Sequence, residues 1–95
     1  MDKIIATKFV EVEARTGNSI NEFWFLNEDE IARQTWLDEK IKNVEALNGG
    51  GRLTRRQLVF DFTLNDLKQK PLEEFKSMKL TDYIKIINLI TNETI

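Results

Sequence analysis

The chain has 95 residues, a net charge of −2, 41% hydrophobic and 32% charged residues, and neither Cys nor His. A single domain over 1–95 suits that length, because two domains would each be too small to bury a core. Without thiol or imidazole, disulfide frameworks, thiol nucleophiles, Ser/His/Asp and Cys/His triads and zinc sites on those ligands are excluded.

Lys3 to Ala14 reads as a strand through its Ile, Thr, Phe and Val content. Both of its faces carry apolar groups: Ile4, Ala6, Val10, Val12 and Ala14 on one, Ile5, Thr7 and Phe9 on the other. Either a bulge near Lys8 switches the face, or the strand is central and covered twice. Arg15-Thr16-Gly17-Asn18-Ser19 is a turn by composition, and Ile20 to Leu26 completes a hairpin.

Asn27-Glu28-Asp29-Glu30 predicts a helix start, with Asn27 as cap and Glu30 closing a capping box. The helix extends to Leu47 with a core stripe of Leu37, Ile41 and Val44, widened by Trp36, Leu47 and the Lys40 methylenes. Asn48-Gly49 then tolerates the left-handed backbone that ends a helix. In the next strand Leu58, Phe60, Phe62 and Leu64 alternate with Gln57, Val59, Asp61 and Thr63, which predicts a buried face with Phe60 and Phe62 in the core. Asn65-Asp66 breaks it, Pro71 opens a short helix lined by Leu72, Phe75 and Met78, and Thr81 caps a last helix from Asp82 to about Thr91.

The fold class that follows is α+β, a small single domain of order β-β-α-β-α-α, with a three-stranded sheet and the long helix packed on one face. If that helix joins the second and third strands in parallel, the crossover is right-handed.

Charge is uneven along the chain, net −4 over residues 1–50 and +2 over 51–95. This argues against a dedicated nucleic-acid binder and permits a bipolar protein-binding surface. The longest apolar run, Phe23 to Leu26, is far below the roughly 20 residues that span a bilayer. Met1 to Lys8 is too short and too charged for a signal peptide, so the expected location is the cytoplasm, with no membrane partner. Ile, Lys and Asn make 27 of the 95 residues, a bias that AT-rich coding produces and that suggests a low-GC bacterium or its phage.

Three constellations bear on chemistry. Gly49-Gly50-Gly51 followed by Arg52, Arg55 and Arg56 resembles a phosphate-binding segment in composition, but it lacks the Gly-Lys-Ser/Thr ending and precedes a strand. With Lys68 and Lys70 these arginines form the candidate nucleic-acid surface, the alternative function. Glu11, Glu13 and Asp61 share the odd face if the first and third strands pair, yet nothing pre-organises them for a metal or for acid/base work, and cross-strand pairing with Lys8 or Arg55 accounts for them. Asn92-Glu93-Thr94 matches a glycosylation acceptor that a cytoplasmic chain would not use.

Apolar surplus is the more informative signal. In Phe23-Trp24-Phe25 the indole points opposite to the two phenyl rings, so a single helix layer cannot cover all three. Tyr83 to Ile90 is polar only at Lys85 and Asn88, which describes a helix buried on more than one side. The expected function is therefore a non-enzymatic protein-protein interaction module, an accessory or inhibitor protein of a phage or mobile element. No catalytic residue, metal ligand or cofactor is assigned. The expected interface, to a protein partner or a second copy in a homodimer, is Trp24, Ile84, Ile87 and Leu89.

Overall fold

The structure, a computed structural model, describes residues 3–48 and 54–93. Strands β1 (Ile4–Glu13), β2 (Ser19–Leu26) and β3 (Arg55–Thr63) form an antiparallel sheet of order β2-β1-β3, with helices α1 (Glu30–Leu47), α2 (Leu64–Gln69) and α3 (Leu80–Glu93) and a 3-10 turn over Leu72–Phe75. The α+β class and the order β-β-α-β-α-α are as the sequence predicts. β1 is central, which settles the ambiguity of its two apolar faces in favour of cover on both sides. Its register slips at Glu11/Val12 against β2 and at Ile4/Ala6 against β3, not at Lys8.

The hairpin between β1 and β2 turns on Gly17, whose φ of +77° is strained for any residue with a side chain. Glu13 and Asn18 close the loop through a backbone bond of 2.9 Å. From β2 the chain crosses β1 through α1 and returns as β3 on the far side, so the two outer strands run the same way.

Each sheet face has its own core. On the odd-numbered face α1 lays Leu37, Ile41, Val44 and Trp36 on Phe9 and Phe23, the stripe that helical spacing predicts. On the even-numbered face Leu67, Phe75, Met78 and Ile86 pack on Ala6 and Phe62, with Trp24, Leu26, Tyr83 and Ile90 at the margin. None of the described helices is long and apolar enough to cross a membrane.

Several local expectations are corrected. Asp29 caps α1, its carboxylate accepting from the Ile31 and Ala32 amides, while Asn27 accepts from the Asp29 amide one step earlier. A carboxylate at the dipole's positive end adds charge attraction to the hydrogen bonds a cap makes, which favours Asp29 as the cap. Leu64 belongs to α2, not to the strand. Thr63 and Asp66 form a reciprocal capping box there, and its hydrogen bonds outweigh the apolar alternation that carries the strand pattern to Leu64. Pro71 precedes a 3-10 turn over Leu72–Phe75 in place of the short helix expected to be lined by Leu72, Phe75 and Met78, and α3 starts at Leu80, ahead of Thr81. Phe62 is core at 5% exposure, but Phe60 is 45% exposed and Leu58 49%, so the buried face predicted for β3 holds only at its end. The Gly49-Gly50-Gly51 segment and Arg52 lie outside the described residues.

Candidate protein-binding surface

β3 is an edge strand whose middle is open on both faces. In register with β1, Leu58 faces Val10, Phe60 faces Lys8 and Phe62 faces Ala6, so all three β3 residues share the even face. On that face the apolar residues of α2, the 3-10 turn and α3 pack on Ala6 and Phe62, and beyond them the cover is polar, with Glu74 reaching Lys8 and Ser77 reaching Trp24. Val10 and Val12 are buried yet belong to neither helix-covered cluster; Leu58 and Glu22 flank Val10 in register, Arg56 and Ser19 flank Val12. Val59, on the odd face, is 41% exposed, next to Asp61, which α1 engages through Arg33. Three consecutive large apolar residues thus meet solvent on one edge strand. The radius of gyration, 14.8 Å, exceeds the roughly 12 Å of a compact chain this long, in keeping with a sheet that outruns its helices.

The hydrogen-bonding edge of β3 can be traced residue by residue. Ala14 donates to the Thr54 carbonyl at 3.1 Å, which fixes the ladder phase: even-numbered residues of β3 bond inward to β1 and odd-numbered ones turn their N–H and C=O outward. At one end the Asn48 carboxamide takes both outward groups of Arg55, donating to its carbonyl at 2.8 Å and accepting from its amide at 2.7 Å. Asn48 Oδ1 also accepts from the Thr54 amide and hydroxyl, so one side chain stands in for a neighbouring strand. At the other end the Asp66 carboxylate accepts from the Thr63 amide at 2.9 Å, and the bonds with Thr63 hold its pKa below the usual carboxylate value. Between these caps, Gln57, Val59 and Asp61 present their outward backbone groups with no strand beside them among the described residues.

A polar cluster bounds the apolar strip on the even face. Lys8, buried between strands, reaches Glu22 at 3.1 Å and Glu74 at 3.8 Å and lies 5.5 Å from the Trp24 ring centre. Burial raises the Glu22 pKa, but hydrogen bonds with Ser77 and Lys8 and the Lys8 charge outweigh it, so the carboxyl sits below its usual value. On the odd face Asp61 accepts from the Thr7 hydroxyl at 2.8 Å and pairs with Arg33 at 3.3 Å. Glu11 accepts from the Asn21 side chain, Glu13 lies opposite Arg55, and Phe9 with Val59 separates Glu11 from Asp61. These carboxylates therefore do not converge on one point, and each is engaged in or aligned for structural pairing.

Of the interface residues read from sequence, Trp24 is half-buried against Phe62 and Phe75 and donates from its indole N–H to the Ser77 hydroxyl at 2.7 Å. Ile84 and Leu89 are exposed on α3, and Ile87 is half-buried. Leu89 lines a shallow groove of about 380 Å³ with Ile5, Leu26, Lys85 and Asn88. The basic residues are spread out: Arg55 and Arg56 lie on opposite faces of β3, while Lys68 and Lys70 follow the far end of the strand, about 23 Å of extended chain from Arg56. Leu58, Val59, Phe60, Asn48 and Asp66 escape the sequence reading as surface-defining residues. The signal that could have found the last is Thr63-x-x-Asp66, a capping signature; for the apolar three it is the shortage of helix to cover both sheet faces. Comparison with protein-family models, with curated proteins and with solved structures finds no match to this chain.

Proposed function

We propose that the chain is a non-enzymatic protein-interaction module whose contact surface centres on the middle of β3. One observation carries this: Leu58, Val59 and Phe60 are exposed in sequence on an edge strand whose outward backbone groups have no partner among the described residues. Apolar side chains supply non-directional burial and the strand edge supplies directional bonds, the combination that strand-addition interfaces use. The outer side of α3, with Leu80 and Ile84 exposed, offers a second apolar surface. A cytoplasmic accessory or inhibitor role for a phage or mobile element fits the composition and the small size.

The alternative, nucleic-acid binding through Arg52, Arg55, Arg56, Lys68 and Lys70, is disfavoured by the spread of the described basic residues around β3 and α2. A photo-crosslinking amino acid at Phe60, in cells producing the chain, tests the proposal. Covalent protein adducts at that position, absent when the probe replaces the exposed Asp38 on α1, are expected. No protein adduct at Phe60, or adducts to nucleic acid with steep salt dependence, overturns it.

A further inference from the structure

We infer that the occupant of the open β3 edge is β3 of a second copy, paired antiparallel about a two-fold axis at Val59. This rests on the protein-binding role above and specifies its mode. Among the described residues the free window is symmetric: Arg55 is capped by Asn48 and Thr63 by Asp66, leaving Gln57, Val59 and Asp61 with Val59 at the centre. A two-fold at that centre makes Val59 exchange both of its bonds with Val59 of the second copy, while Gln57 pairs with Asp61 of the other chain and Asp61 with Gln57. Every outward group that the caps leave open is thereby satisfied, and none that the caps already use is needed.

The side chains agree with this register. On the even face exposed Leu58 meets Phe60 of the second copy and exposed Phe60 meets its Leu58, so apolar opposes apolar twice. On the odd face Val59 opposes itself, and Arg55 lies diagonal to Asp61 of the other copy, opposite charges within reach of a long side chain. No like charges face each other. Shifting the axis to Leu58 would require Arg55 to bond the neighbouring Asp61 through the groups that Asn48 occupies. The other edge, β2, fits less well. The Asn27 amide bonds the Ile5 carbonyl, so Glu22, Trp24 and Leu26 turn outward there. A two-fold at Trp24 would then set Glu22, already engaged by Lys8, against Leu26. With the axis perpendicular to the sheet, both even faces lie on the same side and the two Leu58–Phe60 pairs merge into one apolar cluster across a six-stranded sheet.

Light scattering on the purified full chain, from low to high micromolar concentration, reads the proposal directly, and a dimer is expected. Val59→Pro removes an outward donor while leaving the β1 bonds intact, and should raise the dimer Kd by about tenfold or more with the circular dichroism spectrum retained. Leu58→Lys and Phe60→Glu should each be monomeric alone, yet an equimolar mixture should dimerise, because the ammonium introduced in one copy then faces the carboxylate introduced in the other. A wild-type monomer throughout the range, a Val59→Pro dimer of unchanged affinity, or a mixture that stays monomeric overturns the two-fold. Protein adducts at Phe60 from a different chain would leave the binding role standing while the dimer fails, so the two conclusions fall separately.

Discussion

The two outer strands invert what their sequences suggest. β2 carries Phe23-Trp24-Phe25, three rings that one layer cannot cover, and the fold half-buries all of them: Phe23 and Phe25 lie near Trp36 and the Lys40 ammonium on the α1 side, while Trp24 lies on Phe62 and Phe75 on the other. β3 carries the cleaner alternation and leaves Leu58 and Phe60 in solvent. Periodicity reports which residues share a face, and it says nothing of whether a second layer reaches that face. α1 packs its apolar residues on Phe9 and Phe23 and engages Asp61 of β3 through Arg33, and β3 ends at Thr63, where α2 begins.

The contrast breaks most sharply at two rings on one strand. Phe62→Ala should cost about 3–5 kcal/mol in urea unfolding, since its ring is enclosed by Ala6, Leu67 and Trp24, whereas Phe60→Ala at dilute concentration should cost about 1 kcal/mol or less. Equal losses at the two positions would mean that β3 is covered along its length.

The caps that bound the open edge come next. Asn48→Ala removes bonds to both backbone groups of Arg55 and to Thr54, and should destabilise by about 1–2 kcal/mol in the same measurement. At the start of α1 the ranking of two neighbours is the test: Asp29→Ala should lose about 1 kcal/mol and Asn27→Ala less, because only Asp29 bonds amides of the helix itself.

The smallest effect is a pH dependence on the β2 side. Glu22 has a folded pKa below its unfolded value, so its contribution is full above the ordinary Glu value of about 4.3 and is lost as pH falls through the lower folded value. Glu22→Gln should flatten the acid limb of stability against pH in that window. An unchanged limb would show that the bonds with Lys8 and Ser77 carry no net stabilisation.

How much of the molecule is legible in its sequence follows from the kind of signal. The α1 stripe, the hairpin and the element order rest on spacing and turn chemistry, which are local and survive in the fold. Alternation alone extends β3 to Leu64, one residue past Thr63, where side-chain bonds to the backbone overrule it. The β3 surface is invisible to sequence pattern because exposure depends on where α1 and α2 end up, a long-range property. Trp24 reads as an exposed anchor for the same reason, since its partners Phe75 and Ser77 lie about fifty residues away along the chain.

The crossing of α1 over β1 also sets an order of events in time. β1 pairs with β2 across a short turn, Phe9 with Phe23, but with β3 only across about fifty residues, Lys8 with Phe60. Local closure is fast and distant closure is entropically slow, so the hairpin is expected to form ahead of the docking of β3. Until β3 arrives, the central strand of the finished sheet is an edge, its even-numbered amides and carbonyls unpaired and Val10 and Val12 uncovered on that side. An unpaired strand edge with uncovered apolar residues is the feature that makes a partly folded chain prone to aggregation.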